Sequence, residues 1–188
     1  MLPQEKIKKK RLIKARALTS SKFGTPPGER GISELIESGV VLLDKPAGPT
    51  SHQVSAWVRD ILQIKKAGHG GTLDPHVTGL LPVALGRATN ALRSLLVGGK
   101  EYVGIMRLHG DVPKSRIQDV FSEFTGKIYQ FPPLRSAVKR ELRIREIYYL
   151  EPLEFDKRLV LFRVGCEAGT YIRTLCRDMG DALGTGAN

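Results

Sequence analysis

Apolar positions along the chain fall into short runs with two different periods. "GVVLLDKP" (39–46) is a continuous apolar run closed by a proline, the pattern of a buried strand. In "TSHQVSAWVRDILQIKK" (50–66), Val54, Trp57, Val58, Ile61 and Leu62 recur at helical spacing behind Thr50 or Ser51 as cap. That predicts a helix with one buried face. "GLLPVALGRATNALRSLLVGG" (79–99) reads as a strand or turn followed by a helix from about Ala88 to Gly98. "KEYVGIMRLHG" (100–110) predicts a strand, with Tyr102 near its start. "KSRIQDVFSEFTG" (114–126) predicts a helix capped by Ser115 and ended by Gly126, with Ile117, Val120, Phe121 and Phe124 on its apolar face. "RIREIYYLEPLEF" and "RLVLFRVGCEAG" follow as consecutive strands. In "TYIRTLCRDMGDALG", Ile172, Leu175, Cys176, Met179 and Leu183 share one helical face, and Arg173 points off it.

No internal repeat is present, and strands alternate irregularly with helices. An α+β domain follows, with an open mixed sheet carrying helices on one side, rather than a regular doubly wound fold. Folded sequence begins near Ser33. Residues 1–32 form a basic arm, read either as a solvated tail or as a segment that orders on a nucleic acid.

Composition narrows the partners. The 188 residues carry 30 Lys and Arg against 19 Asp and Glu, a formal net charge of +11. So large an excess favours a polyanion, bound through phosphate contacts and counterion release. The only cysteines, Cys166 and Cys176, have no C-x-x-C spacing and are expected as buried, reduced thiols. The basic N-terminus lacks the apolar stretch of a signal peptide, and no apolar run approaches bilayer length. A cytoplasmic location away from membranes is the expectation.

Several catalytic templates are missing from the sequence. It has no G-x-x-x-x-G-K-[ST] loop, no G-x-S-x-G elbow and no H-E-x-x-H. His52, His69, His76 and His109 do not fall at ligand spacing, so no metal site is expected. What remains is "GHGGTLDPHVTG", with a lone acid, Asp74, between a Gly-rich run and Pro75. Pro75 restricts the backbone of the residue before it, and Gly70 and Gly71 permit turns and close approach. By itself the segment reads as an Asp-Pro turn or as a rigidly held nucleophile or base.

Other segments decide between these. "HGGTLDPHVTGLLPVALGRAT" resembles the catalytic-aspartate motif of the TruB/dyskerin family of RNA pseudouridine synthases. "LLDKPAGPTSHQV" (42–54) is similar to that family's first motif, and "GKEYVGIMRLHGDV" (99–112) to its tyrosine motif. "QFPPLRSAVKR" (130–140) resembles its Q-x-P-P segment, and "CEAGTYIRTLCRDMGDALGTGA" (166–187) its G-T-Y-I-R motif. The five matches are co-linear from about residue 38 onward. In detail they resemble the archaeal and eukaryotic guide-RNA-dependent branch, leaning archaeal.

The resemblance implies a pseudouridine-synthase-like fold: a mixed, mainly antiparallel sheet flanked by helices. It implies Asp74 as nucleophile, Tyr102 stacked on a flipped uridine, and Arg173 paired with Asp74. His69, Lys45, Gly71 and Thr72 would line the substrate site, with His69 and Lys45 touching phosphate or supporting the loop. Arg135, Lys139 and Arg140 would sit in an RNA-gripping thumb. No cofactor is implied, because isomerisation at carbon needs no redox equivalents. The implied partners are H/ACA guide RNA, rRNA, tRNA as a further substrate, and the small proteins of the H/ACA ribonucleoprotein. In the family the "GTGAN" segment continues through a histidine, where Asn188 stands here, into another sheet strand and then a PUA domain. A catalytic domain at 33–188, incomplete at its C-terminus and without a PUA domain, is therefore expected, with weak or no activity and with impaired folding unless a partner covers the open edge. Two rival functions follow: a non-catalytic RNA-binding scaffold, and a guide-independent synthase acting on the tRNA TΨC arm.

Overall fold

The structure, a computed structural model, describes residues 1–6, 15, 20, 22, 24–133 and 139–188. Much of the basic arm, and Arg135 of the expected thumb, lie outside the described residues. After a short helical turn, α1 (Pro3–Lys6), the backbone separates into two compact units.

The first unit runs through Val97. It contains α2 (Ile32–Ser38), β1 (Val40–Lys45), α3 (Ser51–Ile61), β2 (Ala67–His69), β3 (Gly79–Leu85), a 3₁₀ helix (Gly86–Ala91) and α4 (Leu92–Leu96). The strands form a sheet ordered β1-β3-β2 with both pairs antiparallel; Leu43 faces Leu81, and His69 faces Val83. Val41, Leu43 and Lys45 turn inward along β1, while Val40, Leu42 and Asp44 face outward. The apolar run thus forms a half-buried strand, with its alternate residues Val41 and Leu43 packed on the core that includes Val54 of α3. The core under it consists of Val54, Leu81, Val83 and Leu85, with Val58, Leu62 and Ile64 packed alongside.

Helix α3 begins with a reciprocal capping box. The Gln53 N–H donates to Thr50 Oγ1 at 3.1 Å, and the Thr50 N–H to Gln53 Oε1 at 2.8 Å. Its buried stripe is narrower than the periodicity predicts: Trp57 is 52% exposed and Ile61 78%. A sheet of three strands covers only the Ser51, Val54 and Ser55 side.

The second unit comprises the extreme N-terminus and Gly98–Asn188. It contains β4 (Lys100–Arg107), α5 (Lys114–Glu123), β5 (Gly126–Gln130), β6 (Arg143–Asp156), β7 (Leu159–Cys166) and α6 (Ile172–Ala182). Its sheet is ordered β4-β7-β6-β5, again antiparallel throughout. Met106, Val160, Phe162, Val164 and Ile147 from the strands meet Ile117, Val120 and Phe121 of α5 and Leu175, Cys176 and Met179 of α6. Both amphipathic helices pack where their apolar spacing predicts. The first turn of α5 differs: Pro113, not Ser115, occupies the cap position, with no side-chain bond there. Proline's fixed φ suits that entry.

The opposite sheet face has a polar ladder. Gly165 has no side chain, so the Tyr149 ring lies directly over it and its hydroxyl donates to the Glu101 carboxylate. Arg163 sits 5.9 Å from the Tyr149 ring centroid and pairs with Glu151 at 2.6 Å. Desolvation and then the Glu101 bond push the Tyr149 hydroxyl up to about 12. An α+β architecture of antiparallel sheets flanked by helices is therefore present, divided into two sheets rather than one.

Candidate active site

The segment around Asp74 is held by contacts on each side. β2 places His69 opposite Val83, and the Gly70 N–H continues the ladder to the Pro82 carbonyl at 2.8 Å. His69 Nδ1 lies 2.6 Å from the Gly71 carbonyl oxygen. That oxygen can only accept, so Nδ1 carries the proton and His69 braces the turn. Glycine at 68 and 70 serves packing: a Cβ at Gly68 would meet Leu92 at 2.9 Å, and one at Gly70 would meet Leu95 at 3.3 Å. Neither residue has a left-handed φ. The glycines thus bring α4 close to the strand.

Leu73, immediately before the acid, is fixed by one side chain. Ser51 Oγ accepts from the Leu73 N–H at 2.9 Å and donates to the Leu73 carbonyl at 3.2 Å. The Asp74 carbonyl accepts from the Val77 N–H at 3.0 Å, closing a β-turn with Pro75 at its second position. The Pro75 carbonyl accepts from the Gly48 N–H at 2.7 Å and from Lys45 Nζ at 3.2 Å. Lys45 is wholly buried, and its ammonium also donates to the carbonyls of Pro46 and Pro49, each at 2.8 Å. Three donors thus meet three carbonyls, which offsets the cost of burying a cation. Of the two roles expected for Lys45, the geometry fits loop support and not phosphate contact. Asp74 itself is half-buried, Gly71 likewise, and Thr72 is exposed. The Asp-Pro turn is present, and its main chain is held at Leu73, Asp74 and Pro75.

The remaining expected residues lie in the second unit. Tyr102 is half-buried on β4, opposite Val164, and packs against that unit's core. Arg173 occupies the first turn of α6 and is exposed, while Thr174, Leu175 and Cys176 turn inward. The loop before α6 is built for one path. Gly169 has φ +84°, a left-handed conformation that favours glycine, and the Arg145 guanidinium donates to its carbonyl at 3.2 Å. Gln130, 1% exposed, then fixes Tyr171, with Nε2 donating to the Tyr171 carbonyl at 3.1 Å and Oε1 accepting from its N–H at 3.0 Å. Lys139 and Arg140 are exposed, and Lys139 pairs with Glu141.

The sequence pointed to charged and aromatic residues, with Gly71 and Thr72 beside them; it offered Ser51 only as a helix cap and did not single out Gln130. Each lies inside a quoted motif, and each is buried between sequence neighbours that are exposed, so the pattern of apolar positions did not set it apart. Cys166 and Cys176 are both buried, and burial pushes their thiols up to about 11 and about 12, so neither is a thiolate near neutrality. Among the described residues, no group of three or more His, Cys, Asp or Glu could hold a metal ion, and no helix is long and apolar enough to cross a membrane.

The family matches take in residues of both units. Residues 59–172 match the TruB family pseudouridylate synthase (N-terminal domain), and residues 2–55 match the DKCLD (NUC011) domain. The chain is 60% identical over 189 residues to the probable tRNA pseudouridine synthase B of Pyrococcus horikoshii, covering all of this chain and 56% of that protein. It is 59% identical over 177 residues to the protein of the same name from Methanopyrus kandleri, covering 94% of this chain and 52% of the relative. The chain therefore spans about half the length of the relatives it matches. Among solved structures it is similar to a chain of a Cbf5-Nop10-Gar1 complex, with TM-score 0.93 and 58% identity, covering 100% of this chain and 57% of the other. A chain of an H/ACA RNP bound to a substrate RNA containing 2'-deoxyuridine gives TM-score 0.83 and 54% identity, covering 92% and 51%. With a family match across more than half its residues, and five motifs in the order the sequence presents them, the chain belongs to the TruB family of pseudouridylate synthases.

Proposed function

We propose that this chain carries the catalytic residues of an RNA pseudouridine synthase, converting uridine to pseudouridine with Asp74 as nucleophile. The observation that carries this is the grip on the Asp74 loop: Ser51 holds Leu73 on one side, and Gly48 and Lys45 hold Pro75 on the other. Such bracing exceeds what a surface turn needs, and a carboxylate must be pre-placed to attack without a metal. In the reaction the N1–C1' bond breaks, a C5–C1' bond forms, C5 loses its proton and N1 gains one. No oxidant or reductant enters. Tyr102 and Arg173 are the further candidate catalytic residues, an aromatic ring suited to stacking on an extruded base and a guanidinium suited to pairing with a carboxylate. The placement of Arg173 supports a role outside the helix, since a cation in the first turn of α6 is opposed by the helix dipole.

The preferred setting is a guide-RNA-dependent ribonucleoprotein acting on rRNA. It is supported by the likeness to chains from the Cbf5-Nop10-Gar1 complex and the substrate-bound H/ACA RNP. The net charge of +11 suits an RNA partner. Action on tRNA without a guide is the second reading, favoured by the name that the relatives carry.

The test is tritium release from C5-labelled uridine RNA by the whole protein, with guide RNA and small partner proteins added or withheld. Asp74→Asn is expected to abolish release while leaving RNA binding intact; retained turnover rejects Asp74 as nucleophile. Release that requires guide RNA supports the first setting, and guide-free release from tRNA the second.

A further inference from the structure

We propose that Ser51 is the residue that positions Asp74 for attack, acting through the peptide bond that joins Leu73 to Asp74. The proposal rests on the reading of Asp74 as nucleophile. Ser51 is 1% exposed, and its single hydroxyl bonds both main-chain groups of Leu73. The Leu73 carbonyl belongs to the peptide plane entering Asp74, so a donor on that oxygen sets the plane's tilt. On the far side, the Pro75 ring restricts the Asp74 backbone, and Gly48 and Lys45 hold the Pro75 carbonyl. With the planes on either side fixed, side-chain rotation is the main freedom left to the carboxylate.

Ser51 is itself well anchored. It opens α3 within the Thr50–Gln53 capping box, and its own carbonyl accepts from Ser55 Oγ at 2.8 Å. The hydroxyl therefore transmits the position of a packed helix to the loop. A solely packing role would need volume but no hydroxyl. Here one atom acts as donor and acceptor at once, which alanine cannot do and a thiol does poorly. Misplacing a reacting group by about 1 Å costs on the order of 100-fold in rate.

The experiment measures single-turnover tritium release at saturating RNA, RNA affinity and melting temperature, in the assembled ribonucleoprotein. Ser51→Ala is expected to slow the chemical step about 10- to 100-fold with RNA affinity unchanged. Ser51→Thr, which keeps the hydroxyl, is expected to recover most of the rate. Val54→Ala on the same helix creates a cavity in the core and serves as the stability control; it is expected to lower the melting temperature without the rate loss. Should Ser51→Ala fail to fold, Ser51→Cys replaces it, and its rate is expected to fall clearly below that of serine.

A folded Ala or Cys variant with unchanged rate overturns the proposal, as does equal loss in the Ala and Thr variants. So does a rate loss in Val54→Ala that matches that of Ser51→Ala. Asp74→Asn separates the levels: if it stays active, the nucleophile reading fails first. If Asp74→Asn is dead while Ser51→Ala is fully active, only the positioning role fails.

Discussion

Gln130 holds Tyr171 by both of its main-chain groups, across 41 residues of sequence and almost out of contact with water. One carboxamide thereby joins the end of β5 to the N-cap residue of α6, two positions before Arg173. Ser51 does the same for Leu73, one position before Asp74. In both places a buried neutral side chain fixes the backbone within two positions of a charged residue.

Replacing Gln130 by Leu should therefore destabilise the second unit. The shape is nearly kept, but the Tyr171 N–H loses this acceptor in a buried setting. Leaving a buried polar group without its partner costs about 1–3 kcal/mol. Urea unfolding should show a loss of at least that size. Gln130→Glu keeps the acceptor but buries a carboxylate and turns an oxygen on the Tyr171 carbonyl, so it should lose as much or more at neutral pH. A Leu variant as stable as the parent would mean that the bonds to Tyr171 contribute nothing.

Lys45→Met removes three hydrogen bonds and a buried charge at once. Bonds from charged donors are each worth about 1.5–3 kcal/mol, offset by the cation's desolvation. The expected net loss in stability is about 2–4 kcal/mol, measured by urea unfolding. Lys45→Arg should not rescue it, because a planar guanidinium cannot point donors at three carbonyls around one nitrogen. An Arg variant as stable as the parent would show that charge matters here and geometry does not.

The two thiols predict the alkaline limit of stability. An exposed cysteine in the unfolded chain ionises near ~8.5. Burial pushes Cys166 to about 11 and Cys176 to about 12. Between those values the unfolded state binds fewer protons than the folded one, so stability falls as pH rises. The thiol contribution is intact below the unfolded value and disappears progressively toward pH 11. Urea midpoints should drop between pH 8 and pH 10.5, and drop less steeply in Cys166→Ala/Cys176→Ala. Tyr149, pushed up to about 12, adds a loss of the same sign at higher pH. A double variant whose midpoints fall in parallel with the parent would assign the alkaline loss to other groups.

The sequence discloses elements and chemistry better than arrangement. Period-3.6 patterns located α5 and α6 because each packs its whole apolar face on the larger sheet. The same pattern overstated α3, where Trp57 and Ile61 have no described sheet to cover them. Periodicity reports which residues are apolar and says nothing about the width of the surface that receives them. The division into two antiparallel sheets was equally hidden, since strand pairing is set by contacts distant in sequence. Asp74, Tyr102 and Arg173 were legible through motifs. Their supports, Ser51 and Gln130, were not, because a neutral polar side chain reveals its partner only once the backbone it bonds is in place. Lys45 was legible as special, with phosphate contact and loop support both open, and the fold supplies three carbonyls to its ammonium.

Gly180 is a further residue whose importance the sequence did not disclose. It lies buried in α6, where its carbonyl accepts from the N–H groups of Thr185 and Gly186 at 3.2 and 3.0 Å. A Cβ there would overlap the main chain at Gly186 and Ala187. That segment cannot move cheaply. Its path uses left-handed glycines at 184 and 186, and the end of β4 is bonded to it: Arg107 and Asn188 exchange N–H···O bonds of 2.7 and 3.0 Å, and the His109 N–H donates to Gly186 at 3.1 Å. Gly180→Ala gains about 0.8–1.0 kcal/mol of helix propensity. Overpacking against fixed backbone costs about 1–3 kcal/mol, occasionally more, and this contact is at the severe end. The steric cost should prevail, giving a net loss of about 1–2 kcal/mol in urea unfolding and faster amide exchange at Ala187 and Asn188. A stabilised Gly180→Ala variant would show that the close approach of α6 to residues 186–187 does not hold in solution.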